Sequence, residues 1–209
     1  MIHIVDDEEP VRDSLAWLLK SRGFESRAFG HAAGFLDYVA SDQADRRTEG
    51  CVILDIRMPD VSGIELFDQL RAGNLHECWP VIFLTGHGDV PMAVSSLKSG
   101  AFDFFEKPFN DNSLVDSVVA ALAMSARQID QSRAHSSVQA LLAQLTQRER
   151  EVMALIVAGR FNKVIADELG IVMRTVEVYR SRIFQKMGVR TAVELVRLLR
   201  DADQGALDK

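Results

Sequence analysis

The chain has 209 residues, 47% of them hydrophobic and 26% charged, with 24 basic and 30 acidic side chains and a net charge of −6. That length and apolar content fit two compact domains, each with its own core. No apolar stretch is long enough to span a membrane, the opening apolar run stops at Asp6 and offers no targeting stretch, and Cys51 and Cys78 read as reduced, buried thiols of a cytoplasmic protein rather than as a disulfide or metal site.

The first 125 residues alternate short apolar runs with segments of helical period. Ile2-His3-Ile4-Val5 reads as a strand and ends at Asp6-Asp7. Pro10 suits the first turn of a helix whose apolar face carries Val11, Leu15, Leu18 and Leu19, and Gly23 stops it. Glu25 to Phe29 reads as a second strand, followed by a helix marked by Phe35, Leu36 and Val39. Cys51 to Leu54 is a third strand ending at Asp55, and Ile64, Leu66, Phe67 and Leu70 mark the helix after it, which ends near Gly73. Val81 to Leu84 ends at Thr85, a helix is expected from Val90 to Ser99 with Gly100 as its stop, and Phe102 to Phe105 leads into Glu106-Lys107-Pro108. Ser113 to Met124 is the fifth helix. Strands alternating with helices predict right-handed crossovers and a five-stranded parallel sheet of order 2-1-3-4-5, the flavodoxin-like α/β arrangement.

In such a sheet, ligands and chemistry gather at the carboxyl ends of the strands. Asp6, Asp7 and Asp55 crowded there repel one another unless a hard cation holds them, and oxygen ligands of this kind suit Mg2+. The Lys107 ammonium and the Thr85 hydroxyl opposite would hold the oxygens of a phosphoryl group. That is a site for making and breaking an aspartyl phosphate. Lys107-Pro108 is a candidate cis peptide, and His76 and His87 lack the cluster a metal site needs.

From residue 126 to 140 the chain turns polar and reads as a linker, yet no Gly or Pro occurs between Ser113 and Ala158. An extended helical linker is favoured, with a flexible tether as the rival. The last segment, 141 to 203, is all helix in pattern. Thr146 and Glu149 have capping-box spacing before Val152, Leu155 and Ile156, and Gly159 stops that helix. Asn162 to Leu169, a turn at Gly170, and Arg174 to Met187 have the form of a helix-turn-helix; Thr191 and Glu194 repeat the capping-box spacing ahead of a final helix. Residues 141 to 200 hold 11 basic and 6 acidic side chains, a net of +5, which leaves 13 basic and 24 acidic, or −11, elsewhere. A basic helical unit joined to an acidic one fits a DNA-binding regulator, while a helical bundle without that role is the alternative reading of the pattern alone.

The motifs Val5-Asp6-Asp7-Glu8-Glu9-Pro10, Leu54-Asp55-Ile56-Arg57-Met58-Pro59-Asp60-Val61-Ser62-Gly63, Leu84-Thr85-Gly86-His87 and Glu106-Lys107-Pro108-Phe109 resemble the receiver domain of two-component response regulators, in its FixJ variant. Leu145 to Val152, Gly159, Asn162-Lys163, Ile165-Ala166, Leu169-Gly170-Ile171, Thr175 to Val178, Arg180 and Lys186 to Val189 resemble the LuxR/NarL-type DNA-binding domain. The resemblance implies Asp55 as phosphoacceptor, served by a sensor histidine kinase. It implies Mg2+ held by Asp7 and Asp55 directly, by Asp6 through water and by the Arg57 carbonyl. Lys107, Thr85 and Phe104 would form the switch, and phosphorylation would drive homodimerisation through about Val90 to Phe105. In the second domain it implies Glu177, Val178 and Ser181 facing bases of promoter DNA, with Lys163, Arg174, Thr175, Tyr179, Arg180 and Lys186 near its backbone and RNA polymerase as a further partner. Three positions depart from the family: Val172 and Phe161 stand where helix-capping or small polar residues are usual, and Tyr179 replaces a common histidine. The competing class is a magnesium-dependent aspartyl-phosphate hydrolase of the haloacid-dehalogenase kind, which wants a second Asp two residues after the first; Arg57 stands there.

Overall fold

The computed structural model describes all residues except 42–43, 46–47, 87–94, 96 and 208–209, and the side chains of 203–207 are likewise outside the description. The chain forms two compact units, Met1–Ile129 and Asp130–Lys209.

The first unit contains β1 (Ile2–Val5), α1 (Glu9–Ser21), β2 (Ser26–Phe29), α2 (Ala32–Ala40), β3 (Cys51–Asp55), α3 (Gly63–Ala72), α4 (Leu75–Cys78), β4 (Val81–Thr85), β5 (Asp103–Glu106) and the first part of α5 (Asp111–Ala143). The strands pair in parallel in the order β2-β1-β3-β4-β5. β1, β3 and β4 are buried along their whole length, which explains why they read as unbroken apolar runs rather than as alternating ones. Side chains nevertheless alternate between two cores. Val5, Val52, Leu54, Val81 and Phe83 pack with Phe35 of α2 and with Leu66, Phe67 and Leu70 of α3. Ile2, Ile4, Ile53, Ile82 and Leu84 pack with Leu15, Leu18 and Leu19 of α1 and with Leu114, Val115, Val118 and Ala121 of α5. Parallel register brings Val5 beside Leu54, Asp55 beside Leu84 and Thr85 beside Glu106, so the residues that follow each strand emerge at one edge of the sheet.

Several elements differ in detail from expectation. β2 starts at Ser26 and β5 runs one residue past Phe105 to Glu106. A four-residue helix, α4, follows Asn74, whose φ of 55° lies in the left-handed region. The Lys107–Pro108 peptide is cis. Of the helix expected from Val90 to Ser99, residues 90–94 and 96 lie outside the described residues, whereas Ser95, Leu97 and Lys98 are helical. The fifth helix does not stop near Met124. It continues to Ala143 as one 33-residue element, consistent with the absence of glycine and proline between Ser113 and Ala143.

The second unit is helical. It holds the end of α5, then α6 (Gln147–Val157), α7 (Asn162–Leu169), α8 (Met173–Met187) and α9 (Ala192–Leu207) around Val152, Ile156, Ile165, Val176, Ile183, Met187 and Leu195. Thr146 and Glu149 form the complete capping box at α6. At α9 the box is shifted: Thr191 Oγ1 accepts from the Glu194 amide, but Glu194 Oε2 accepts from the amide of Arg190 rather than Thr191. Gly170 ends α7 at φ +64°, the left-handed conformation that lets the chain turn sharply into α8.

His3 is an anomaly in the first core. It is fully buried on β1, ringed by Phe35, Tyr38 and Trp79, with its centroid 4.4 Å from that of Trp79. Neither ring nitrogen has a hydrogen-bond partner. Burial, aided by the nearby terminal ammonium and Arg27, pushes its pKa down to about 3 from an ordinary 6.5. The folded state therefore holds a neutral imidazole while the unfolded chain protonates near pH 6.5. Stability is full above that pH and is lost as pH falls toward 3, with a slope approaching about 1.4 kcal/mol per pH unit. Urea unfolding at pH 7.5 and 5.5 should show the native chain losing roughly 1 kcal/mol more than a His3→Leu variant; equal losses would show that His3 does not set the acid sensitivity.

Candidate functional site

Asp55 closes β3 and is almost fully buried. Its Oδ1 lies 2.6 Å from Lys107 Nζ, and its Oδ2 accepts the Arg57 amide at 2.7 Å. Lys107 Nζ also donates to Asp6 Oδ2 at 2.8 Å, and Glu8 Oε1 stands 3.7 Å away. Asp6 Oδ1 accepts the Glu8 amide at 2.9 Å, so both oxygens of this buried carboxylate are engaged. Asp7 is exposed. Thr85 is buried, with its hydroxyl donating to the Gly86 carbonyl at 3.1 Å and its own carbonyl accepting the Lys107 amide at 2.7 Å. Phe104 is half-buried against the core, in register with Phe83. Of the sequence-predicted residues, Lys107 brings Asp6 and Asp55 together, and Glu8, which no strand-end argument singles out, stands near them, whereas the side chains of Asp7, Thr85 and Phe104 make no hydrogen bond or ion pair with that group.

The backbone after Asp55 is held tightly. The Gly63 amide donates to the Ile56 carbonyl at 3.0 Å, and a Cβ at Gly63 would overlap the carbonyl oxygen of Asp55. Only glycine lets α3 begin this close to the acidic residue. A capping box between Ser62 and Glu65 starts the helix at that point.

Burial raises the Asp55 pKa above the usual carboxylate range; the Lys107 ammonium and the Arg57 amide pull it back, while Asp6 adds to the rise. For Lys107 burial acts to lower the pKa, but its hydrogen bonds to Asp55 and Asp6 prevail and raise it. Two carboxylates against one ammonium leave surplus negative charge in a poorly solvated pocket, with only oxygen donors. That donor set fits a hard divalent cation. Among the described residues no three or more His, Cys, Asp or Glu side chains gather as a metal site, so a cation here would rest partly on main-chain and water oxygens.

In the second unit, Lys163, Arg174, Glu177, Val178 and Ser181 are exposed on α7 and α8, and Thr175 is half-buried. Val172 and Phe161 are the N-cap residues of α8 and α7, and neither makes a side-chain cap hydrogen bond. Arg180 lies over the Phe184 ring, 5.3 Å from its centroid, and Tyr179 packs partly against the core. Lys186 requires a correction. Its ammonium does not stand free for a phosphate: it donates to Glu149 Oε2 at 2.6 Å and to the Gln144 carbonyl at 3.1 Å. Glu149 is 3% exposed and also accepts the Thr146 amide, so the lysine is the counter-charge of a buried carboxylate and holds that carboxyl below its usual range. The 37-residue separation hides this pair from any periodicity in the sequence.

A parallel sheet with a buried, lysine-paired aspartate at its carboxyl edge, followed by a helix-turn-helix unit, defines a receiver joined to a DNA-binding domain. Residues 2–119 match the response regulator receiver domain, and residues 143–199 match the luxR family of bacterial regulatory proteins. The chain is 50% identical over 198 residues to the C4-dicarboxylate transport transcriptional regulatory protein DctR of Rhodobacter capsulatus, covering 94% of this chain and 98% of that protein. It is 47% identical over 197 residues to the transcriptional regulatory protein FixJ of Azorhizobium caulinodans, covering 94% and 90%. Among solved structures, the response regulator StyR aligns at a TM-score of 0.84 with 40% identity, over 95% of this chain and 97% of that one. Full-length FixJ from B. japonicum aligns at 0.58 with 40% identity, over 97% of each chain. The chain belongs to the response regulators that couple a receiver to a LuxR-type DNA-binding domain, and it is a DNA-binding transcriptional regulator of a two-component system.

Lys163 and Lys186 should therefore separate in experiment. Lys163→Ala should flatten the salt dependence of DNA binding by about one unit without changing the fold. Lys186→Ala should leave that slope unaltered but lower unfolding stability by roughly 1–3 kcal/mol, because it strands the Glu149 carboxylate. A flattened slope with unchanged stability for Lys186→Ala would return this lysine to the DNA face.

Proposed function

We propose that Asp55 is the phosphoacceptor and that the second domain's affinity for promoter DNA follows its phosphorylation state. The observation that carries this reading is the Lys107 ammonium held between Asp55 and Asp6. Transfer of a phosphoryl group to a carboxylate depends on positioning and charge neutralisation more than on covalent machinery. Asp55 Oδ1 would attack the phosphorus of a phosphohistidine or acetyl phosphate donor as the donor's P–N or P–O bond breaks and its imidazole or acetate departs, while Lys107 turns from carboxylate to phosphoryl oxygen. Thr85 would give up its bond to the Gly86 carbonyl and donate to a second oxygen. Phe104, on the neighbouring strand in register with Phe83, would then move inward. A bound Mg2+ supplies neutralisation of the phosphoryl charge; Asp7, Asp55 and the Arg57 carbonyl would hold it, with Asp6 reaching it through water.

Arg57 stands two residues after the nucleophile and contributes its amide to Asp55. It offers no carboxyl for the general-acid step of a phosphate-ester hydrolase. The receiver is assigned to 1–125, a helical linker to 126–140 and the DNA-binding domain to 141–203. Glu177, Val178 and Ser181 would face bases, with Lys163, Arg174, Thr175, Tyr179 and Arg180 toward the DNA backbone. Phosphorylation would favour a homodimer, and the DNA-bound regulator would meet RNA polymerase in the cytoplasm.

Incubation with acetyl phosphate or a phosphorylated kinase should label the native chain and leave Asp55→Asn unlabelled, since an amide is a poor nucleophile. The bond formed should be lost in mild base, as an acyl phosphate is. Equal labelling of Asp55→Asn would place the phosphate on another residue and overturn the assignment.

A further inference from the structure

The β1–α1 turn carries two acidic residues in succession, yet only one of them has its carboxylate fixed. Asp6 is pinned through both side-chain oxygens, by the Glu8 amide and by Lys107. Asp7 is exposed, and it is tied down through its main chain. The tie is Arg12. From the first turn of α1 its Nη1 donates to the carbonyl of Asp6 and to the carbonyl of Asp7, each at 2.8 Å. On its other side the guanidinium lies against the backbone of Gly30, just past the end of β2, where an added Cβ would meet its carbon and nitrogens at 3.5–3.6 Å. The Asp6 amide donates to the Phe29 carbonyl at 3.2 Å, so the turn and the end of β2 are already joined at this point.

Two consecutive carbonyls converging on one guanidinium nitrogen fix two consecutive peptide planes. The direction in which Asp7 projects its carboxylate follows from those planes. We infer that Arg12 is a positioning residue of this site, which presets Asp7 for a divalent cation without touching the cation, the phosphoryl donor or Asp55. The inference rests on the magnesium-dependent receiver reading given above. Its energetic logic is preorganisation: a carboxylate on a loose turn must be ordered when the cation arrives, and one already held need not be.

Charge and positioning predict opposite signs, which makes the role measurable. Arg12 is a cation near a cation site. Acting through Coulomb repulsion alone, its removal would strengthen Mg2+ binding. Acting as a positioning residue, its removal weakens it. Full-length native chain, Arg12→Ala and Arg12→Gln are titrated with MgCl2 alone by calorimetry, and circular dichroism records whether each variant is folded at the titration temperature. Glutamine is too short to bridge both carbonyls and serves as the second variant should alanine fail to fold. The expected result is a five- to twentyfold weaker Mg2+ Kd in the folded variant, with Asp55 labelling restored at saturating Mg2+. An unchanged or tighter Kd overturns the inference. Failure of the native chain itself to bind Mg2+ would instead overturn the receiver reading on which the inference depends.

Discussion

Lys107 holds two carboxylates that the fold would otherwise force together unpaired. Its side chain starts just past β5, at the sheet edge, and reaches Asp55 at the end of β3 and Asp6 just beyond β1. β4 lies between β3 and β5 in that order, and Thr85 ends it. One ammonium therefore gathers the ends of the strands into a single electrostatic unit. Burial makes the Asp55 carboxylate costly to keep ionised, and its ion pair with Lys107 offsets that cost only in part, so Asp55 remains harder to ionise than a solvated aspartate. A pocket in this condition is poised to accept added positive charge, and to release Lys107 to a more highly charged partner such as a phosphoryl group.

The DNA-binding unit solves a related problem with the opposite purpose. Glu149 is buried at the start of α6, completes the capping box with Thr146 and is neutralised by Lys186 near the end of α8. There the pair is closed: the same ammonium also satisfies the Gln144 carbonyl just past α5. The lysine fixes the far end of α8 to the start of its own domain. Under the proposed function the receiver's ion pair would be exchanged for a phosphoryl contact, whereas in the helical unit it belongs to the frame of the helix on which Glu177, Val178 and Ser181 are exposed.

Much of this was legible in the chain itself, for local reasons. Central parallel strands are buried on both faces, so they appear as unbroken apolar runs, and a charged residue that interrupts such a run marks the strand end. Asp6 and Asp55 are readable by that rule, Thr85 and Lys107 lie at the ends of the two remaining strands on that side, and parallel register then brings all four to one edge. The capping box at Thr146 and the turn at Gly170 are likewise local. What escaped is set by tertiary contact. A single exposed-looking arginine on an amphipathic helix gives no sign that it holds the carbonyls of Asp6 and Asp7. Lys186 has the charge and the helix expected of a phosphate contact, and only the fold reveals that Glu149 claims it. His3 hides within an apolar run, where an unpaired imidazole resembles any other strand residue. The length of α5 was legible only in part: the missing helix breakers favour a helical linker over a flexible tether, but they do not by themselves join it to the helix expected to end at Met124.

The central claim is that the Lys107 bridge couples the chemistry at Asp55 to DNA binding. Its most direct measurement is the promoter-DNA affinity of the full chain with and without beryllofluoride as phosphoryl mimic, for the native protein and for Lys107→Ala. Native protein should bind at least about tenfold more tightly with the mimic, equivalent to about 1.4 kcal/mol. Lys107→Ala should still fold and take up the mimic, shown by 19F resonance, yet bind DNA with one affinity throughout. An equal gain in affinity for Lys107→Ala would contradict the account, because the switch would then run through contacts other than this bridge.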